Sequence, residues 1–117
     1  MTVLLLMLAC GEHPSTQDSL LEADTRPESC DSAPPVTWAN WADGFFSSYC
    51  RACHSSGTAE RYGAPEGVDF DTLADVIQWR ERIQVRTLEA EDMPVGGGVY
   101  DEDLELLQVW LECELVD

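Results

Sequence analysis

Bulky apolar residues recur every three or four positions between residues 38 and 49. They are Trp38, Trp41, Phe45 and Tyr49, with Ala42 and Phe46 alongside them. This spacing places their side chains on one face of an amphipathic helix. The pattern therefore predicts a first helix that runs directly into the cysteine at position 50.

Two more helices are predicted downstream. The second should begin after Asp71, a favourable N-cap residue, and run to about Leu88. The segment EDMPVGGG, residues 91–98, then ends it, because proline and three glycines do not continue a helix. A third helix should follow, capped by Asp101. The apolar positions of these two helices are Leu73, Val76, Ile77, Ile83, Leu104, Leu107, Trp110 and Leu111.

No stretch of the chain alternates between apolar and polar residues for long enough to indicate a sheet. The pattern also shows no internal repeat. We therefore expect an all-α fold with three main helices.

The first ten residues, MTVLLLMLAC, form an apolar run that is too short to cross a bilayer as a helix. The run resembles the end of a bacterial lipoprotein signal peptide, in which a lipid-modified cysteine follows a small residue. The resemblance implies that Cys10 becomes the lipidated N-terminus after cleavage behind Ala9. It also implies a periplasmic location, and Gly11 after the cysteine favours the outer membrane.

Residues 11–35 are rich in Ser, Thr, Asp, Glu and Pro and contain few large apolar side chains. Such a segment buries too little surface to offset the entropy of ordering it. We expect an acidic tether there, followed by a folded domain at residues 36–117.

The net charge is −17, from 23 acidic residues and six basic ones, all arginine. This balance argues against nucleic acid or an anionic membrane surface as a partner. Membrane contact is expected only through the lipid anchor, and a protein partner should present a basic docking patch. Five cysteines in 117 residues indicate an oxidising, exported setting.

The segment YCRACHSSG, residues 49–57, holds Cys50, Cys53 and His54. Zinc, dithiol redox chemistry and covalent haem attachment can each use these residue types. A structural zinc site needs four ligands, and the chain has no second paired cluster. A redox dithiol normally opens a helix after a strand, whereas this motif ends a helix. Covalent haem remains the favoured interpretation.

In a C-x-x-C-H motif the two thiols add to the haem vinyl groups and the histidine binds iron. Cys50, Cys53 and His54 would take these roles. The second axial ligand should be Met93, because the chain has no lysine and His13 lies in the predicted tether. The other two methionines lie in the predicted signal peptide.

With these residues the chain resembles a small class I cytochrome c over roughly residues 37–113. That family has a helix entering C-x-x-C-H, a late Met-Pro loop and a C-terminal helix crossing the first. The resemblance implies an electron carrier with one haem c rather than an enzyme. It also implies that the Pro65 carbonyl accepts the His54 N–H bond. The expected contacts between first and last helices are Ala42 and Phe46 with Leu107 and Trp110.

The crossing helices of that family would also bring Cys30 and Cys113 together, so the resemblance implies a disulfide between them. Haem carries two propionates that need donors. The candidates are Arg61, Trp79, Arg80, Arg82 and Arg86. Shielding of the haem is expected from Trp38, Trp41, Phe45 and Ile77.

The alternative is a haem sensor or a small peroxidase-like enzyme in which Met93 is displaced. The three glycines that follow Met93 would permit a mobile loop. The predicted domain, however, offers no second histidine and no lysine as a distal acid or base. Carbon monoxide binding to the reduced protein would separate the two functions.

Overall fold

A computed structural model describes residues 28–114 of the chain, and this part is all-α. Its three α-helices are α1 (Asp43–Tyr49), α2 (Leu73–Ile83) and α3 (Asp101–Val109), and the described residues contain no strand. The predicted signal peptide with Cys10, and residues 11–27 of the predicted tether, lie outside the described residues.

Each α-helix is continuous with a π-helical segment. Trp38–Ala42 leads into α1, Gln84–Glu89 extends α2, and Trp110–Glu114 extends α3. The three helical stretches therefore lie close to the predicted ones. The prediction of an all-α fold with three main helices is confirmed.

The first helical stretch begins with a reciprocal cap. The Thr37 hydroxyl accepts the Asn40 N–H bond at 3.1 Å, and the Asn40 side-chain oxygen accepts the Thr37 N–H bond at 2.7 Å. Two backbone donors that have no partner inside the helix are thereby satisfied. This cap fixes where the first stretch begins.

The predicted cap of the second helix is wrong by one residue. Thr72, rather than Asp71, is the N-cap of α2, and its side chain pairs reciprocally with Asp75. Asp71 does not cap because its carboxylate accepts hydrogen bonds from the Ser56 N–H and hydroxyl, at 2.9 and 2.8 Å. Asp71 therefore joins the loop after the cysteine motif to the start of α2.

The predicted cap of the third helix is also displaced. Tyr100 occupies the N-cap position without a side-chain hydrogen bond, and Asp101 is the first residue of α3. An acidic residue in the first helical turn still interacts favourably with the helix dipole. Asp101 thus stabilises the start of α3 through its charge rather than as a cap.

The first and last helical stretches pack against each other. The Phe46 and Trp110 rings meet edge to face, with their centroids 5.9 Å apart. The Tyr49 hydroxyl donates a 2.7 Å hydrogen bond to the Asp103 carboxylate across the same interface. The core around this contact comprises Val36, Ala42, Phe45, Phe46, Phe70, Val76, Ile83, Leu107, Trp110 and Leu111.

The chain before the first helix belongs to the folded unit. Glu28–Ser32 forms a 3₁₀ turn in which Cys30 is only 3% exposed. Cys30 is joined to Cys113 by a disulfide, with their Cα atoms 5.4 Å apart. This disulfide therefore secures the turn, which precedes the predicted boundary at residue 36, to the last helix.

Candidate functional site

The cysteine motif forms a tight turn at the end of α1. Cys50 is the C-cap of that helix, and its N–H bond donates to the Phe46 carbonyl. The Cys50 carbonyl then accepts N–H bonds from Cys53 at 3.2 Å and from His54 at 2.9 Å. This turn places Cys50, Cys53 and His54 on one short segment that is held by backbone hydrogen bonds.

The His54 ring is fixed by its neighbours. Its Nδ1 atom lies 2.8 Å from the Val68 carbonyl oxygen, and its ring centroid lies 4.8 Å from that of Phe70. A carbonyl oxygen only accepts, so Nδ1 carries the proton in this contact. Nε2 is then the nitrogen with a lone pair available for a metal ion.

The predicted role of Pro65 is wrong. Its carbonyl accepts hydrogen bonds from the Arg61 guanidinium at 2.8 Å and from the Val68 N–H at 3.2 Å, while the Val68 carbonyl serves His54. The chain turns back between Pro65 and Val68 through Gly67, whose φ of +82° is readily adopted by glycine. In that turn the Pro65 carbonyl accepts the Val68 N–H bond, and the Val68 carbonyl accepts the bond from His54.

A cavity of about 550 Å³ lies beside the motif. Its volume is within the range of small-molecule and cofactor sites. Four of the predicted site residues line it together: Cys50, Cys53, His54 and Met93. Pro65 lines it as well. The fold therefore brings the late Met-Pro loop to the same cavity as the cysteine motif.

Met93 is held at the end of the second helical stretch. The Arg86 carbonyl accepts N–H bonds from Asp92 at 3.0 Å and from Met93 at 3.1 Å. The Arg86 guanidinium also donates to the Asp92 carboxylate at 2.7 Å. Two backbone bonds and one ion pair thus fix the chain immediately before Pro94.

The cavity wall is mostly apolar and aromatic, and its charged members are all basic. Arg61, Arg82 and Arg86 line it, whereas none of its described lining residues is acidic. This distribution is unexpected for a chain with 23 acidic residues. A cavity with apolar walls and only positive charges suits an apolar ligand that carries anionic groups. Trp79 lines it too, but Arg80 does not.

The prediction of which residues would shield the haem is only partly supported by the cavity lining. Phe45 lines the cavity, but Ile77 does not and is 47% exposed on α2. Trp38 and Trp41 are absent from the lining and pack against the apolar core instead. Ile77 follows Val76, which is fully buried, so the two adjacent side chains of the helix cannot both face the core.

Arg51, between the two motif cysteines, connects the motif to the chain ahead of α2. Its Nε atom donates to the Phe70 carbonyl at 2.7 Å, and its Nη2 atom lies 2.6 Å from the Asp43 carboxylate. The guanidinium also lies 5.6 Å from the centroid of the Trp38 ring. Sequence reasoning missed these contacts, because the partners Asp43 and Phe70 lie 8 and 19 positions away from Arg51 in the chain.

The thiol environment does not resemble that of a redox-active pair. Burial raises the pKa of the Cys50 thiol to about 12, despite the nearby Arg51 charge. Reactive dithiols instead have a thiol of lowered pKa. In residues 28–114 no three His, Cys, Asp or Glu side chains gather as a metal ion requires. The raised pKa of Cys50 counts against the dithiol interpretation.

Comparisons with known proteins found no matching family model, no similar curated protein and no similar solved structure. None of the helices within residues 28–114 has the length and apolar character needed to cross a bilayer.

Proposed function

We propose that this protein is an electron carrier with a cytochrome c-like fold and one covalently attached haem c. Cys50 and Cys53 would form the thioether bonds, and His54 and Met93 would be the axial ligands. One observation carries the proposal: all four side chains line a single cavity, although Met93 is distant from the other three in sequence. A shared cavity is what a cofactor bound at four points requires.

The residues of the cavity fit haem in volume, polarity and charge. Apolar and aromatic side chains suit the porphyrin, and arginines suit its propionates. Arg82 is exposed at the cavity and forms no ion pair with any described residue, so it is the first candidate for a propionate. Arg86 already pairs with Asp92, and the Trp79 indole offers a neutral donor.

Haem bound by these residues would supply one-electron redox chemistry. The chain's own contribution would be to hold the iron through His54 and Met93 and to limit access of water. The Val68 carbonyl orients the His54 ring, and backbone hydrogen bonds to the Arg86 carbonyl hold the loop that carries Met93. A thioether ligand favours the ferrous state and raises the reduction potential. Two filled positions leave no open site for a substrate.

The lining chemistry favours a carrier over a peroxidase-like enzyme. Among the described residues that line the cavity, His54 is the single imidazole, and no lysine or carboxylate accompanies it. General acid–base catalysis at a distal site needs such a group. The sensor or enzyme function would require Met93 to leave its position.

The domain would lie on the periplasmic side of a bacterial membrane, anchored through lipid on Cys10. The net charge of −17 would attract a partner with a basic docking patch. Association should then slow as salt is added, because exposed charges are screened.

Carbon monoxide binding tests the carrier function. The protein should be produced in a haem-maturing host, reduced with dithionite and mixed with carbon monoxide. A carrier with Met93 on the iron should stay low-spin in both oxidation states and bind carbon monoxide slowly or not at all. Rapid and complete binding would contradict the carrier and support the sensor.

A further inference from the structure

Arg61 makes an unusually complete set of contacts for a side chain at a cavity wall. Its Nη1 atom donates to the Ser55 carbonyl at 2.8 Å, and its Nε atom donates to the Ala64 carbonyl at 3.2 Å. Its Nη2 atom donates to the Pro65 carbonyl at 2.8 Å. The side chain is 16% exposed. Arg61 therefore has a fixed position next to the cavity.

One further contact joins Arg61 to the His54 ring. Nη2 of Arg61 lies 3.3 Å from the Val68 carbonyl oxygen, the atom that also accepts the His54 Nδ1–H bond at 2.8 Å. One carbonyl oxygen thus receives a neutral donor and a cationic donor. Since the guanidinium draws electron density from this oxygen, the oxygen is a weaker acceptor for the imidazole.

We infer, on the basis of the haem site proposed above, that Arg61 is a positioning residue that raises the reduction potential through the shared Val68 carbonyl. A strong hydrogen bond at Nδ1 makes a histidine ligand more basic, which stabilises ferric iron. Arg61 weakens that bond and so favours the ferrous state. The positive charge of Arg61 beside the cavity acts in the same direction.

Asp69 opposes this effect. Its carboxylate lies 2.8 Å from Nη2 of Arg61 and is 17% exposed, so solvent screens the pair only in part. The Oδ1 atom of Asp69 accepts no hydrogen bond from the described residues, so Asp69 acts on Arg61 through charge alone and offsets its positive charge. Removing the Asp69 charge should therefore shift the potential in the direction opposite to removing Arg61.

The experiment uses the full-length protein loaded with haem. Covalent attachment and low-spin spectra are verified first, and reduction potentials are then measured for Arg61→Met, Asp69→Asn and Arg80→Met. Arg80→Met is the matched control, because it removes one positive charge from an exposed arginine that does not line the cavity.

We expect Arg61→Met to raise the ferric-to-ferrous ratio about tenfold at a fixed ambient potential, a fall of about 59 mV for a one-electron couple. Asp69→Asn should move the potential upward, and Arg80→Met should change the ratio less than about twofold, since solvent screens exposed charges. In the ferrous protein, the His54 Nδ1 proton resonance should move downfield in Arg61→Met, because the hydrogen bond to Val68 strengthens.

Equal potentials in Arg61→Met and Arg80→Met, with an unmoved proton resonance, would overturn the inference while leaving the haem site intact. Loss of covalent haem from the unaltered protein would instead overturn both proposals. If Arg61→Met does not fold, the reduction potential of Asp69→Asn is the test. An unchanged or lower potential in that variant refutes the role of Arg61.

Discussion

The Nδ1 atom of His54 lies 2.8 Å from the carbonyl oxygen of Val68. This contact joins the turn that carries both motif cysteines to the loop ahead of α2. The orientation of the imidazole is thus set by the protein backbone. A ligand held in advance by a backbone hydrogen bond loses little freedom when it binds a metal ion.

Replacing Met93 should change both the spectrum and the potential. Met93→Leu keeps an apolar side chain but removes the thioether that favours ferrous iron. We expect the ferric-to-ferrous ratio at fixed ambient potential to rise at least tenfold, which is about 59 mV. The reduced variant should also bind carbon monoxide rapidly. Potentiometry and stopped-flow mixing measure the two effects.

Val95→Ala is the matched control for this substitution, since Val95 lies two positions along the same loop and, although it borders the cavity, is 84% exposed and offers no iron ligand. It should behave as the unaltered protein does. If Met93→Leu and Val95→Ala have the same potential and the same response to carbon monoxide, Met93 is not the ligand.

Removing the disulfide should destabilise the fold without releasing haem. The bond between Cys30 and Cys113 closes a long loop, and loss of such a bond typically costs about 2–5 kcal/mol. For the double variant Cys30→Ala/Cys113→Ala we expect a loss near the lower end of this range, because haem attached as proposed would already restrict the unfolded chain. Urea unfolding under non-reducing conditions measures the difference. A loss of haem from this variant would contradict the assignment of the cysteines.

Asp71 should stabilise the protein in a pH-dependent manner. Hydrogen bonds from the Ser55 hydroxyl and from the Ser56 N–H and hydroxyl hold the pKa of the Asp71 carboxyl below its ordinary value. A lowered folded-state pKa contributes stability above the unfolded value of about 3.9, and this stability is lost as pH falls through the folded value. Asp71→Asn should therefore be less stable at neutral pH.

The test is urea unfolding of the unaltered protein and Asp71→Asn between pH 7 and pH 2.5. Their difference in unfolding free energy should shrink below about pH 4, where the carboxylate is protonated. Subtracting the variant removes the general effect of acid on this highly charged chain. Glu105→Gln, an exposed change on α3, is the control. A difference that is constant with pH would refute the role of Asp71.

The indole N–H of Trp110 should not stabilise the fold. Trp110 is fully buried, and its Nε1 atom has no hydrogen-bond partner among the described residues. Trp110→Ala should cost about 3–5 kcal/mol through the cavity it leaves. Trp110→Phe should cost less than about 1.5 kcal/mol, because it keeps most of the ring and removes a buried donor. A cost of Trp110→Phe as large as that of Trp110→Ala in thermal unfolding would contradict this expectation.

The helices and the candidate ligands could be predicted from the sequence because each depends on local spacing. The apolar face of residues 38–49 sets the first helix, and the Met93-Pro94 segment cannot continue the second. The Cys30–Cys113 contact followed from the family resemblance rather than from spacing alone. The two cysteines can meet only if the first and last helical stretches pack against each other. The contact of Phe46 with Trp110 shows that they do.

Other features depend on tertiary contacts that a linear pattern does not encode. Asp71 fails as a cap because the distant Ser56 occupies its carboxylate. Pro65 does not serve His54, because a turn through Gly67 and the Arg61 side chain occupy its carbonyl. Arg61 itself looked like one of several possible propionate partners. Its contacts with four carbonyls and one carboxylate became evident only in three dimensions.

The most direct measurement is a visible spectrum of the protein after denaturation and acid–acetone washing, following production in a haem-maturing host. We predict that haem stays on the unaltered chain and is washed from the variant Cys50→Ala/Cys53→Ala. The Cys30→Ala/Cys113→Ala variant should keep its haem. If the colour washes out of the unaltered protein, haem is not covalently attached and the central claim is wrong.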